Sequence, residues 1–187
     1  MHADVESALK ILETGGTILY PTETIWGIGC DATNVQAIQK IVEIKNRPNE
    51  KSFILLVDGD QMLMKYVSDV PALAWDLMEM TEKPLTIIYD KPYHLPPELI
   101  GPDNTIAIRI TTDPFCKMLI RKLKKPLVST SANLSGEKSP AIFEEISEKI
   151  KKSVDHIVNL RHDDKKRNPS SSIVRLKNNG EISIIRP

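Results

Sequence analysis

One stretch, residues 18–57, constrains this chain more than any other. It opens on a short apolar run, Ile18-Leu19-Tyr20, stopped by Pro21. Thr22, Glu23 and Thr24 follow, then the glycine-rich apolar piece Ile25-Trp26-Gly27-Ile28-Gly29. A helical pattern begins after Thr33-Asn34 and ends in a basic knot, Lys45-Asn46-Arg47-Pro48, before a second apolar run at 53–57. The order predicted is strand, polar turn, helix, cationic turn, strand. Its polar groups fall at element ends, where a rigid scaffold presents them to a ligand.

The same punctuation continues on both sides. Residues 4–14 read as an amphipathic helix with Val5, Ala8, Leu9 and Leu12 on one face, ended by Gly15-Gly16. The helix at 35–45 has Asn34 as N-cap and Val35, Ile38, Ile41 and Val42 as its apolar face. Pro48 forbids its continuation and restricts Arg47 to extended or turn dihedrals. The run 53–57 does not alternate, as expected of a strand covered on both faces. A helix at 71–80, a strand at 86–89 and a proline-rich surface loop at 91–104 come next. Residues 105–110 alternate cleanly, with Ile106, Ile108 and Ile110 on one face and Thr105, Ala107 and Arg109 on the other. That second face suits solvent or a cavity floored by a short side chain.

Further on, Asp113-Pro114 starts a helix to about 123, and 127–128 form a short strand that breaks into Ser129-Thr130-Ser131-Ala132-Asn133. Ser139-Pro140 is expected to cap a helix over 141–152, followed by a strand at 154–159 and a charged, mobile stretch at 161–169. Ser170-Ser171-Ser172 leads into a hairpin, 173–176 and 181–185, around the Asn178-Asn179-Gly180 turn. A terminal hairpin makes the sheet mixed rather than all parallel. The fold class expected is α/β, one domain over 1–187, an open mixed sheet with flanking helices.

Composition excludes several classes. No apolar run approaches the ~18 residues of a membrane span, and the N-terminus lacks the layout of a secretory signal. Cys30 and Cys116 form no CxxC pair, which fits a reduced cytoplasm, and Cys30 reads as a small core residue. His2, His94, His156 and His162 have no metal-ligand spacing. With 25 basic and 25 acidic side chains, global charge says nothing about nucleic acid. The local clusters at 117–125 and 165–167 read as a solvated face and a loop.

The familiar nucleotide loops are absent: there is no P-loop, and Gly27 and Gly29 lack the third glycine of a dinucleotide fingerprint. Those glycines read as tight packing at a strand end. Lys45 and Arg47, with Lys51 in the same loop, can grip adjacent phosphates, although a cation at a helix C-terminus explains Lys45 alone. The STSAN run can hold polar ligand atoms or form an ordinary turn. Glu23 could act as a base, but no neighbour in sequence identifies its task. Residue chemistry reaches an anion-binding α/β domain and stops there.

The ordered set PTET, WGIG, KNRP and STSANLSG resembles the YrdC-like family of threonylcarbamoyl-adenylate synthases. The resemblance implies a twisted open sheet with a wide cationic groove. It implies condensation of L-threonine, bicarbonate and ATP to threonylcarbamoyl-AMP and pyrophosphate, with Mg2+ on the phosphates. The product would pass to the machinery that forms N6-threonylcarbamoyladenosine on tRNA. By motif, Thr24, Arg109, Ser131 and Ser171 resemble the family's threonine-binding positions. Arg47, Lys51, Thr105, Asn133 and Arg186 resemble its ATP-binding positions, with Lys45 beside them. Lys45 and Arg47 are the candidates for catalysis by charge and positioning, without a covalent nucleophile. Trp26 stands where the family usually has tyrosine, and Ala141 where some members have a hydroxyl. The serine run leaves Ser170, Ser171 and Ser172 open as the contact. Two rivals differ in class: a non-catalytic protein binding tRNA or double-stranded RNA in the same groove, and a domain that adenylates carbamoyl phosphate.

Overall fold

The computed structural model describes residues 1–46, 53–101 and 103–187. Its elements in order are α1 (His2–Glu13), β1 (Ile18–Tyr20), β2 (Gly27–Gly29), α2 (Val35–Lys45), β3 (Ile54–Val57), α3 (Asp60–Tyr66), α4 (Ala72–Met80) and β4 (Leu85–Asp90). Then follow β5 (Thr105–Ile110), α5 (Pro114–Leu123), β6 (Leu127–Ser131), α6 (Glu148–Ser153), β7 (His156–Ile157), β8 (Ser172–Leu176) and β9 (Ile182–Arg186). Among the described residues the strands form one mixed sheet in the order β7-β1-β2-β6-β3-β5-β4-β8-β9.

Local chemistry sets the element ends. Asn34 accepts from the Ala37 N–H at 3.0 Å to start α2, and Asn46 in the left-handed region closes it. Asp113 accepts from Cys116 N at 3.0 Å with Pro114 in the first turn of α5. Gly180 takes a positive φ of 87° at the β8–β9 turn, a conformation costly for other residues. β3 pairs β5 parallel and β6 antiparallel, so Leu55, Leu56 and Val57 are buried on both sides, as the unalternated run predicts. Each such side chain contributes about 1.5–3 kcal/mol on burial.

Several expectations change. The WGIG piece is itself a strand: β2 lies antiparallel to β1, so the unit reads strand, turn, strand, helix, strand. Three residues rich in glycine carry little strand propensity, and pairing on both edges supplies what propensity does not. Gly29 is required by close approach: a Cβ there would stand 2.4 Å from Val128 O and 2.7 Å from the Tyr20 ring, whereas at Gly27 the nearest contact would be 3.3 Å. β6 does not stop at Val128. Its serines stay in the sheet because Ser131 and Thr130 pair with Gly27 and Ile28.

The helix expected at 141–152 is divided. Ile142 is extended, a 3-10 turn spans Phe143–Glu145, and α6 starts only after its N-cap Ser147, whose Oγ accepts from Ile150 N. Phe143 is drawn instead against Trp26, tilted at a ring separation of 4.9 Å, and stacks on His162 at 3.8 Å. The strand expected at 154–159 shrinks to His156–Ile157. The charged stretch 161–169 is pinned: Arg161 pairs with buried Asp113 at 2.6 Å, Lys165 with Glu144, and Arg167 with Glu145. In α2 the buried stripe is Ala37, Ile38, Ile41 and Lys45, leaving Val35 exposed at the first turn. Helix α3 was not signalled, being short and without a side-chain cap.

Candidate functional site

The start of β2, the middle of β5, the end of β6 and the loop after β6 line a cavity of about 470 Å³. Thr24, Lys45, Arg109, Ser131 and Asn133 line it from one side, and Ser171 and Arg186 from the C-terminal hairpin. Positions scattered between 24 and 186 in the chain therefore share one concavity. Ala107 floors it between Ile54 and Arg109, the short side chain that alternation placed there. Thr105 is buried on the same strand face but lies outside this lining, two residues beyond Ala107. Arg47 and Lys51 lie outside the described residues.

The walls are held by polar contacts. Thr22 Oγ1 and Thr24 Oγ1 lie 2.9 Å apart, and Thr22 Oγ1 also donates to Ile25 O at 2.8 Å, so the PTET turn locks itself. Lys45 is nearly fully buried, and its Nζ donates to Ser131 O at 2.6 Å and Asn133 O at 2.7 Å. It thus braces the Ser-Ala-Asn turn from below. The Asn133 amide nitrogen donates to Leu134 O at 2.7 Å and Glu137 O at 2.9 Å, leaving its buried Oδ1 without a hydrogen bond among the described residues. A buried acceptor left open on a cavity wall is a place for a ligand donor.

Arg109 is 5% exposed, and its Nε stands 3.1 Å from Glu23 Oε1. The pair is close, yet neither atom has hydrogen-bond alignment. Thr111 Oγ1 donates to the other carboxylate oxygen of Glu23 at 2.9 Å. Along the chain Glu23 has no identifiable partner; β5 supplies it, from 86 positions away, a distance that no local pattern spans.

On the opposite wall Ser171 Oγ and Thr86 Oγ1 are 2.8 Å apart, and Arg186 reaches Ser171 O and Oγ at 2.9 and 3.3 Å. Ser170 and Ser171 line the cavity, whereas Ser172 begins β8 and gives its N–H to Pro84 O. Burial, and then the Arg109 charge, hold the Arg186 guanidinium below its ordinary range. The charged side chains on this lining are Lys45, Arg109, Arg186 and Glu137. Ser129, Ser135 and Ser139 add hydroxyls to it; Ser139 does not cap a helix. Both cysteines are buried outside any disulfide, and burial pushes both thiols up. Among the described residues no group of three His, Cys, Asp or Glu is placed to hold a metal, and no helix is long and apolar enough to cross a membrane.

An open mixed-sheet α/β fold with a polar cavity at its strand ends defines the class. The family model for the Sua5, YciO and YrdC proteins, described as telomere recombination, matches residues 10–187, and the chain belongs to that family. A threonylcarbamoyl-AMP synthase of Pseudoalteromonas translucida is 36% identical over 160 residues, 84% of this chain and 86% of the relative. The structure of YciO from E. coli superposes with a TM-score of 0.85 at 25% identity, covering all of this chain (100%) and 89% of that one. Sua5 from P. abyssi complexed with L-threonine gives 0.81 at 24% identity over 92% of this chain; the chain spans 50% of that protein's length.

Proposed function

We propose that this chain is a threonylcarbamoyl-AMP synthase, with 1–187 as one catalytic domain, joining L-threonine, bicarbonate and ATP and releasing pyrophosphate. The observation that carries the reading is the single cavity shared by Thr24, Lys45, Arg109, Asn133, Ser171 and Arg186. It is supported by the 36% identity to a synthase that matches 86% of its own length. The relatives' substrates enter here because the cavity offers what they need. Arg109 presents guanidinium donors for the planar amino-acid carboxylate. Lys45 and Arg186 add positive charge toward phosphates, and the open Asn133 Oδ1 accepts from the nucleotide.

The threonine amine attacks the carbon of bicarbonate, and loss of water gives a carbamate. A carbamate oxygen then attacks the α-phosphorus of ATP, and pyrophosphate leaves. No protein nucleophile is required. Catalysis is the holding of three reactants in one cavity with fixed donors and charges facing the phosphates. Magnesium would arrive with the triphosphate, taking phosphate oxygens and water as ligands. Arg47 and Lys51, which lie outside the described residues, are assigned to ATP by motif alone. The labile product passes to the tRNA-modifying machinery of the cytoplasm.

The test is direct. Incubation with ATP, L-threonine and bicarbonate should yield pyrophosphate and threonylcarbamoyl-AMP in equal amounts, dependent on all three. Pyrophosphate release without threonine, or none with all three, would refute the reading.

A further inference from the structure

We infer that Glu23 is a positioning residue for the amino-acid half of the site: it holds Arg109 by its Nε edge and leaves the terminal nitrogens to the substrate carboxylate. The inference rests on the threonine site proposed above.

The carboxylate is fixed before it meets the arginine. Asp113 N donates to Thr111 Oγ1 at 3.2 Å, which directs the hydroxyl proton toward Glu23 Oε2 at 2.9 Å. Thr111 is fully buried and anchored by its N–H to Val57 O at 3.0 Å. On the other side of Glu23, the self-locked threonines of the PTET turn fix its backbone. Thr111 and Arg109 are two apart on an extended segment, so they project to the same side, and Glu23 lies across both.

The contact itself has the geometry of a bracket. A guanidinium engaged fork to fork by one carboxylate has spent two aligned donors on it. Here one edge nitrogen approaches one oxygen at 3.1 Å without alignment, and the terminal nitrogens donate to no described residue. Charge is compensated while donors stay open. Compensation matters because Arg186 lines the same cavity and feels the Arg109 charge. A buried guanidinium stripped of its carboxylate would be costly to keep facing inward.

The experiment measures L-threonine and ATP binding by calorimetry for the parent, Glu23→Gln, Arg109→Lys and the double variant. Gln keeps the acceptor for Thr111 but not the charge. Glu23→Gln should weaken threonine about tenfold, the scale of a charge-assisted contact, with ATP affinity within about twofold. In the Arg109→Lys background the same change should cost less than about twofold, because Glu23 acts through Arg109. Parent-like threonine binding by Glu23→Gln, or a full tenfold loss repeated in the Arg109→Lys background, overturns the inference. Should Glu23→Gln not fold, Glu23→Asp keeps the charge and withdraws it by one methylene; weakened threonine with retained ATP supports the bracket, and parent-like threonine binding overturns it. A parent that binds ATP but not threonine overturns the functional reading and the inference together. A parent that binds threonine beside an unaffected Glu23→Gln overturns the inference alone.

Discussion

Lys45 and Arg109 are both cations buried to within a few per cent, both line one cavity, and they are held in opposite ways. Lys45 commits donors to two carbonyl oxygens, Ser131 at 2.6 Å and Asn133 at 2.7 Å. Arg109 has its charge balanced by Glu23 but makes no aligned hydrogen bond to it. One residue has its donors already committed to the scaffold. The other offers geometry with its field already balanced. Under the proposed function, the open donors of Arg109 face a small carboxylate, where direction counts.

Breaking the Lys45 side should have the largest effect. Lys45→Met removes the brace under the Ser-Ala-Asn turn and leaves two carbonyls short of a donor. Product formation is expected to fall about 100-fold or more, the scale of losing a fixed electrostatic group. Stability should drop by about 1–3 kcal/mol, read from urea denaturation; a variant with parent-like turnover would contradict the assignment. Arg109→Lys comes next. It keeps charge and loses the fork, so threonine KM should rise about tenfold while ATP KM stays near the parent value. The reverse split would transfer Arg109 to the nucleotide. A smaller change sharpens the same side: Thr111→Val removes the hydroxyl that aims Glu23 and should weaken threonine binding by about 0.5–1.5 kcal/mol, with ATP binding unaltered in the same titrations.

The smallest effect concerns the core behind both cations. Burial raises the Tyr20 and Tyr89 phenols and the Cys30 and Cys116 thiols above their ordinary values of 10.0 and 9.0. Native protein then keeps protons that the unfolded chain releases. Stability is fully present below about pH 9 and declines as pH rises beyond it. A thermal scan at about pH 8 and about pH 10.5 should show a lower Tm at the higher pH. A flat profile would mean those groups ionise equally in both states.

By itself, the sequence determined what depends on near neighbours. The bounds of α2 and α5 follow from Asn34, Asp113 and Pro114, and β5 from its strict alternation, which also put Arg109 on one face with Ala107; that this face meets a cavity rather than solvent was decided by the tertiary structure. The motif resemblance carried the family and the candidate residues, since an ordered set of short motifs survives where overall identity is low. Tertiary structure decided what depends on distant pairing. Gly27-Ile28-Gly29 becomes a strand because β1 and β6 flank it, and Ser129 to Ser131 stay in the sheet for the same reason. The helix at 141–152 gives way because packing Phe143 against Trp26 and His162 outweighs local helix propensity. Above all, Glu23 has no meaning along the chain. Its task appears when β5 brings a buried guanidinium to 3.1 Å, because the field around a charge is set by what lies near it in space.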